Sequence, residues 1–106
     1  MIECIQVTTT VEAQEDADNL TRLVLERRLA ACIQVSACYS SYHWQGAIKQ
    51  DNELKLVMKS HLKLYQELEK LILANHPYDT PEILAIPVQF CNSDYLDWMA
   101  GELKSE

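Results

Sequence analysis

A short segment in the C-terminal part of the chain carries four side chains that can take part in chemistry. The segment His76–Pro87 places His76, Tyr78, Asp79 and Glu82 within seven residues. It also holds all three prolines of the chain, which stiffen the backbone and stop a helix. A rigid loop with an imidazole, a phenol and two carboxylates is a place where a binding site can lie. Composition alone, however, favours a plain helix stop followed by the start of a strand.

A helix before this segment and a strand after it must position these groups. Ser60 has the character of an N-cap for a helix that ends at Asn75. The predicted inner face of this helix carries Leu64, Leu68, Leu71 and Ile72. The apolar run Ile83–Phe90 predicts the fourth strand. Because Pro87 has no N–H for a strand ladder, we expect this strand at an edge of the sheet.

The first third of the chain predicts a strand, a helix and the start of another strand. Ile2–Thr8 has the apolar content of a short strand. Thr9 and Glu12 have the spacing of a capping box, which predicts that a helix starts there and ends near Arg28. Leu29–Val35 is apolar and predicts the next strand.

Two extended segments, Ile33–Gln45 and Ala47–Lys59, predict a long β-hairpin with its turn at Gly46. Thirteen extended residues in the first segment span about 43 Å at roughly 3.3 Å each, whereas a compact domain of this size is roughly 34 Å across. The hairpin must therefore bend or protrude. Near its tip lie the side chains Tyr39, Tyr42, His43 and Trp44. Because such a group is unfavourable in water, we expect it to pack on another subunit.

The order of elements predicts the fold class. A closing helix starts at Asn92 or Ser93, so the chain reads β-α-β-β-α-β plus a terminal helix. This order predicts an α+β, ferredoxin-like split β-α-β sandwich, in which two helices cover one face of an antiparallel sheet. The long hairpin protrudes from it, and the C-terminal helix is an addition. We assign residues 1–106 to a single domain.

Composition and charge exclude several classes of partner. The net charge of −7 argues against nucleic acid and anionic membrane surfaces, because no basic surplus replaces counterions. No apolar run is long enough to insert into a membrane. Two glycines are too few for a Gly-rich phosphate loop. The cysteines lack C-x-x-C spacing and an export signal is not evident, which predicts reduced thiols and a cytoplasmic protein. They are Cys4, Cys32, Cys38 and Cys91.

Several blocks of the sequence together resemble the CutA divalent-cation tolerance family. They are Leu29-Ala30-Ala31-Cys32, Tyr42-His43-Trp44-Gln45-Gly46, Glu53 with Lys59, His76-Pro77-Tyr78-Asp79-Thr80-Pro81-Glu82-Ile83, and Tyr95-Leu96-Asp97-Trp98. The resemblance covers essentially the whole chain. It implies a ferredoxin-like subunit, a tight homotrimer joined by long hairpins, and a cytoplasmic role in tolerance of divalent metals, especially copper. It also implies similarity to the PII signalling proteins, which bind small effectors between subunits, and no established enzymatic reaction.

The resemblance also bears on metal ligands. Family members proposed to bind copper carry a cysteine where this chain has Thr8-Thr9, and a His-His pair where it has Asn75-His76. His76 and Glu82 remain as the matching candidates. One imidazole and one carboxylate are few ligands for a metal ion, so we predict that Cu²⁺ or another divalent metal binds weakly.

A second candidate site combines carboxylate, ammonium and aromatic side chains, which suit a small effector in a cleft between subunits. It comprises Trp44, Glu53, Lys59, Tyr78, Glu82, Tyr95 and Trp98. The simpler interpretation, favoured by the sequence, is a fixed Lys59–Glu82 ion pair at one rim of the sheet, with aromatic rings filling an interface.

Three functions are thus open: a non-enzymatic trimeric metal-tolerance protein, a PII-like sensor or adaptor, and an enzyme of unrecognised reaction. Ser40 and Ser41 lie close to His43 in sequence, as a nucleophile and base would. Adjacent strand residues point to opposite faces, however, which argues against a serine hydrolase. No other catalytic constellation is evident in the sequence, so we predict no enzymatic activity.

Overall fold

The fold is built on one four-stranded antiparallel sheet. The computed structural model describes residues 2–105. The strands are β1 (Cys4–Val11), β2 (Cys32–Trp44), β3 (Ala47–His61) and β4 (Leu84–Pro87), and the helices are α1 (Gln14–Glu26), α2 (Tyr65–Asn75) and α3 (Ser93–Glu102). A short 3₁₀ turn, Leu62–Leu64, precedes α2. The strand order is β2-β3-β1-β4, which confirms the predicted α+β, ferredoxin-like fold and the edge position of Pro87.

The hydrophobic core lies between the sheet and the helices α1 and α2. Leu56 and Met58 of β3 point into it and are fully buried, as the alternation of the return strand predicts. The predicted inner face of α2 and the turn before it is likewise buried: Leu64, Leu68, Leu71 and Ile72. Apolar spacing in the sequence therefore located this core correctly.

The opposite face of the sheet, which we call the open face, is covered only at one end. Strand alternation places Glu53 and Lys59 there, because Met58 between them in β3 points to the core. Helix α3 covers the end at which β1 begins. The ring of Tyr95 lies 5.4 Å from Lys59 Nζ, and Met99 Sδ lies 3.9 Å from Cys4 Sγ.

The hairpin protrudes, as predicted. β2 and β3 pair with each other from Cys32–Lys59 to Trp44–Ala47. β1 pairs with β3 only up to its own last residue, Val11, so the far part of the hairpin extends beyond β1. The turn residues Gln45 and Gly46 have φ of 50° and 80°. Two positive φ values are typical of the type I′ turn of tight hairpins. We call residues 38–53 the hairpin arm. The subunit that includes this arm is elongated, 45 Å long and 26 Å wide.

Two predicted helix caps are wrong because both segments extend a strand. Thr9, predicted to cap α1, lies in β1 opposite Leu56, where a β-branched side chain packs well. Helix α1 instead begins after Ala13, which makes no side-chain cap hydrogen bond. Ser60, predicted to cap α2, lies in β3 opposite Ile5, and its buried Oγ donates a hydrogen bond to the carbonyl of Leu29 at 2.6 Å.

Other boundaries also differ from prediction. The fourth strand stops at Pro87 instead of reaching Phe90, because the ladder with β1 ends at the pair of Pro87 with Ile5. Leu29 precedes β2 and is not part of it. Arg28 has left the helix with a φ of 56°, and its guanidinium bonds the carbonyl and carboxylate oxygens of Glu102.

The four cysteines are free thiols, and Cys4 is the buried one. None of the helices within residues 2–105 combines the length and apolar character needed to cross a bilayer.

Candidate functional site

His76 lies immediately after α2, with both ring nitrogens engaged. Nε2 is 3.0 Å from the carbonyl oxygen of Thr10 and 3.1 Å from Thr9 Oγ1, and Nδ1 accepts a hydrogen bond from the N–H of Tyr78 at 3.1 Å. Because Nδ1 accepts, Nε2 carries the proton of the neutral ring and donates to Thr10. Burial lowers the pKa of His76, against an opposing contribution from the Thr10 carbonyl.

This arrangement bears directly on metal binding. A metal needs a lone pair on an imidazole nitrogen, and the lone pair of His76 Nδ1 is already used by the Tyr78 N–H. Residues 2–105 also contain no group of three or more His, Cys, Asp or Glu side chains placed to hold a metal ion. In this conformation, therefore, His76 and Glu82 do not fit a high-affinity divalent site.

Tyr78 connects the same turn to the hairpin. Its hydroxyl donates a hydrogen bond to Glu53 Oε2 at 2.7 Å, and Glu53 is only 9% exposed. Its ring also meets the ring of His76 edge-on, with centroids 4.8 Å apart. Burial, followed by the bond to Glu53, raises the pKa of Tyr78. Tyr78 therefore remains protonated and acts as a fixed donor to a buried carboxylate.

An acidic groove lies between this turn and the hairpin arm. Two adjoining cavities of about 350 and 260 Å³ form it and share Tyr42, Tyr78 and Thr80. The side chains lining it include the carboxylates Glu12, Asp51, Glu53, Asp79 and Glu82, together with Lys49 and Trp44. The Tyr42 hydroxyl bonds to Asp51, which raises the pKa of Tyr42 to about 12. Such a charge distribution attracts cations and repels anions.

The other predicted cleft residues, Lys59, Tyr95 and Trp98, form a separate cluster where α3 packs on the sheet. We call this cluster the lysine pocket. Lys59 Nζ lies over the ring of Tyr95, and the rings of Tyr95 and Trp98 are 5.4 Å apart. Burial and a hydrogen bond with the Cys32 thiol raise the pKa of Tyr95. Lys59 and Tyr95 border a cavity of about 260 Å³. Within one subunit the predicted cleft is thus divided into the acidic groove and the lysine pocket.

The prediction that Lys59 and Glu82 share one rim of the sheet is wrong within a subunit. Lys59 lies opposite Gln6 in β1. Glu82 precedes β4, whose first pair is Leu84 with Thr8, so it lies toward the other end of β1. Continuing that register gives an offset of four residues, or about 13 Å along the strands. An ion pair between Lys59 of one subunit and Glu82 of another remains a prediction.

Sequence reasoning missed the residues that hold the turn in place. Thr9 and Thr10 contact His76, but they had been assigned to the start of a helix. Their β-branched side chains after an apolar strand were the available signal for a longer β1. Of the two serines considered as nucleophiles, Ser40 has its Oγ 3.9 Å from Cys38 Sγ, and Ser41 accepts a weak hydrogen bond from Gln50 Nε2 at 3.4 Å.

Comparison with known proteins gives a consistent result. Residues 5–102 match the family described as CutA1 divalent ion tolerance protein. A Thermus thermophilus protein described as divalent-cation tolerance protein CutA is 39% identical over 94 residues, covering 88% of this chain and 91% of that protein. A Pyrococcus horikoshii protein of the same description is 37% identical, covering 94% of this chain and 98% of that protein.

Solved structures are similar over nearly the whole chain. CutA1 from Oryza sativa superposes with a TM-score of 0.95 at 31% identity and covers 99% of this chain and 97% of that one. CutA1 from Pyrococcus horikoshii gives 0.92 at 36% identity, covering 95% and 99%. A protein from Archaeoglobus fulgidus described as periplasmic divalent cation tolerance protein CutA gives 0.92 at 28% identity, covering 95% and 99%.

Proposed function

The chain belongs to the CutA1 divalent ion tolerance family, and we propose that it acts in divalent-cation tolerance as a non-enzymatic homotrimer that binds Cu²⁺ or another divalent metal weakly. The family match over residues 5–102 is the observation that carries this proposal. The assembly, the weak metal site and the alternative of an effector site are each supported by separate features of the subunit.

The exposed apolar surface of the subunit supports assembly. Ile48 on the hairpin arm is 72% exposed, and Phe90 beyond β4 is 85% exposed. Both outer strands of the sheet, β2 and β4, also present backbone groups along one side that no strand within residues 2–105 pairs. Free edges and apolar patches of this kind are normally covered by a partner. A head-to-tail contact repeated three times closes into a ring, which covers every copy of the interface.

Light scattering on the purified protein tests the assembly. We expect close to three times the subunit mass of 12.2 kDa. Ile48→Lys should reduce this mass, because it puts a charge into the proposed interface without touching the subunit core. Leu73→Lys is the matched control, since Leu73 is an exposed apolar residue on α2. A monomer at micromolar concentration of the unmodified protein would contradict the trimer.

The hydrogen bonds of His76 support weak metal binding. A divalent cation at Nδ1 must displace the Tyr78 N–H, which leaves a half-buried donor without a partner. Losing such a bond costs roughly 1–3 kcal/mol, which weakens binding by about one to two orders of magnitude. The acidic groove next to this turn supplies a favourable potential but no preformed set of ligands.

Calorimetric titration with Cu²⁺ tests the weak site. His76→Ala should lower the affinity, whereas His43→Ala on the exposed hairpin arm should leave it within about twofold. Glu82→Gln should act in the same direction as His76→Ala. Unchanged affinity in His76→Ala would remove His76 from the ligand set while leaving the trimer proposal intact.

The division of the predicted cleft favours a second candidate function, binding of a small effector between subunits. The acidic groove and the lysine pocket carry opposite charge, and an aromatic ring borders each: Trp44 in the groove and Trp98, 46% exposed, beside the pocket. Only contact between subunits can bring these halves together. Such a cleft has the mixture of ring faces and charges typical of small-ligand sites.

A thermal-shift titration with citrate and inorganic phosphate tests this second function. An anion that binds beside Lys59 should raise the unfolding midpoint of the unmodified protein and not that of Lys59→Met. The control is Lys55→Met, on the same strand and face but distant from the pocket. Equal shifts in all three proteins would argue against the pocket.

We also propose a cytoplasmic location, which the four free thiols support because reduced cysteines persist in a reducing compartment. The relative described as periplasmic leaves this open for the family. Cell fractionation with an antibody against the protein decides between the two compartments.

A further inference from the structure

Two sulfur atoms from distant parts of the chain lie in contact at the end of the sheet. Cys4 Sγ, at the start of β1, is 3.9 Å from Met99 Sδ, in the second half of α3. Cys4 is 9% exposed and Met99 is fully buried. The contact is independent of the acidic groove and of the turn that carries His76, neither of which includes these residues.

A third sulfur atom belongs to the same region. Cys91, just before α3, borders with Cys4 both a cavity of about 610 Å³ and the smaller cavity of about 260 Å³ beside Lys59. Cys91 Sγ donates to oxygens of the following residue at 3.5 and 4.0 Å, and because a thiol is a weak donor its side chain can turn at small cost.

We propose that Cys4, Met99 and Cys91 form a site for a soft monovalent metal ion, Cu(I) or Ag(I). Thiolate and thioether sulfur are the ligands that select Cu(I) among first-row metals. With metal–sulfur distances of about 2.3 Å, as in thiolate sites generally, the 3.9 Å separation of Cys4 Sγ and Met99 Sδ corresponds to an S–metal–S angle of about 116°. That value is close to trigonal geometry, which leaves one position for Cys91.

Charge and ligand type both favour a soft monovalent ion over Zn²⁺. Binding releases the protons of two thiols and transfers no electrons, so the site carries a net charge of −1. Lys59 borders the same small cavity, so its ammonium group offsets this negative charge. None of the described residues lining this smaller cavity is a carboxylate or an imidazole, the ligands on which Zn²⁺ and Cu²⁺ depend in addition to thiolate. The larger cavity has a single carboxylate among its described lining residues, that of Glu3.

Methionine methyl NMR provides a direct test. In protein labelled with ¹³C at the methionine methyl groups, silver nitrate should shift the Met99 signal and saturate at one equivalent per chain. The signal of Met58, buried elsewhere in the core, is the internal control and should not move. Replacing Cys38 by Ser beforehand removes a thiol on the hairpin arm that would compete for silver.

Affinity measurements complete the test. In competition with bicinchoninate for Cu(I), Met99→Leu and Cys4→Ser should each bind at least tenfold more weakly, and Met58→Leu should match the unmodified protein within twofold. The exchange of Met for Leu conserves volume, so Met99→Leu keeps the fold and decides the question if Cys4→Ser does not fold. A Met99 signal that stays fixed through the first equivalent of silver would overturn the proposal, as would unchanged affinity in Met99→Leu.

Discussion

Acidification should destabilise the protein through His76. The ring is held neutral, with Nδ1 accepting from the Tyr78 N–H and Nε2 donating to the Thr10 carbonyl. An imidazolium ion cannot accept at Nδ1, so protonation in the folded state breaks the first of these bonds. Burial lowers the pKa of His76 below the value of 6.5 for a free imidazole. The unfolded chain consequently binds its proton at a higher pH than the folded chain.

The direction of the effect follows from the number of protons bound by each state. Below pH 6.5 the unfolded state holds more protons, so the free energy of unfolding rises with pH and falls as the pH decreases toward the folded pKa. Above pH 6.5 the contribution of His76 is fully present. One group contributes at most about 1.4 kcal/mol per pH unit within this window. From about pH 7 to about pH 5.5, the loss is therefore limited to roughly 1.3 kcal/mol per chain.

Urea unfolding at fixed protein concentration measures this loss. We expect the unmodified protein to lose up to about 1.3 kcal/mol more than His76→Gln across this pH interval, because the variant has no titratable side chain at position 76. His43→Gln, on the exposed hairpin arm, should retain the full pH dependence. Long-range ¹⁵N NMR of the imidazole ring at neutral pH should find the proton on Nε2.

Two results would refute this reasoning about His76. The first is an identical pH dependence of stability in the unmodified protein and His76→Gln. The second is a ring that carries its proton on Nδ1 at neutral pH, since that tautomer cannot accept from Tyr78.

Three further predictions concern buried polar contacts. Tyr78→Phe should lower the free energy of unfolding by about 1.5–3 kcal/mol in urea titrations, because it removes a donor from the buried carboxylate of Glu53; a loss below about 0.5 kcal/mol would mean that water replaces the hydroxyl. Ser60→Ala should cost about 1–3 kcal/mol in the same assay, since a buried carbonyl loses its donor, and Ser60→Thr should cost a different amount if packing dominates. If Lys59 and Glu82 pair between subunits, removing either should cost about 3–5 kcal/mol, and a double-mutant cycle should find strong coupling; additive single effects would show that the two side chains do not meet.

The regular elements could be predicted because their signals are local. Leu64, Leu68 and Ile72 recur at helical spacing, and the alternation around Leu56 and Met58 marks a strand with one buried face. The excess length of the hairpin followed from residue counts alone, and Pro87 excluded a central position for its strand. The predictions of helix starts are wrong where a threonine or a serine is compatible with either a helix cap or a strand, as at Thr9 and Ser60.

The candidate site could be predicted only as a list of side chains. Whether Lys59 and Glu82 lie near each other depends on strand register, which the sequence around either residue does not encode. The split of the predicted cleft into the acidic groove and the lysine pocket follows from that register. That the acidic groove of one subunit lies beside the lysine pocket of another remains a prediction.

The sequence by itself determined the buried apolar faces of α2 and β3, the long extended hairpin and the family that the chain resembles, because periodicity and motif blocks are properties of neighbouring residues. Only the tertiary structure decided what the chemical groups do. It placed Thr10 against the ring of His76 and Cys4 against Met99, across separations of 66 and 95 residues. Contacts over such distances depend on how strands align and how helices cross the sheet. That is why only the tertiary structure shows that both ring nitrogens of His76 are engaged in hydrogen bonds.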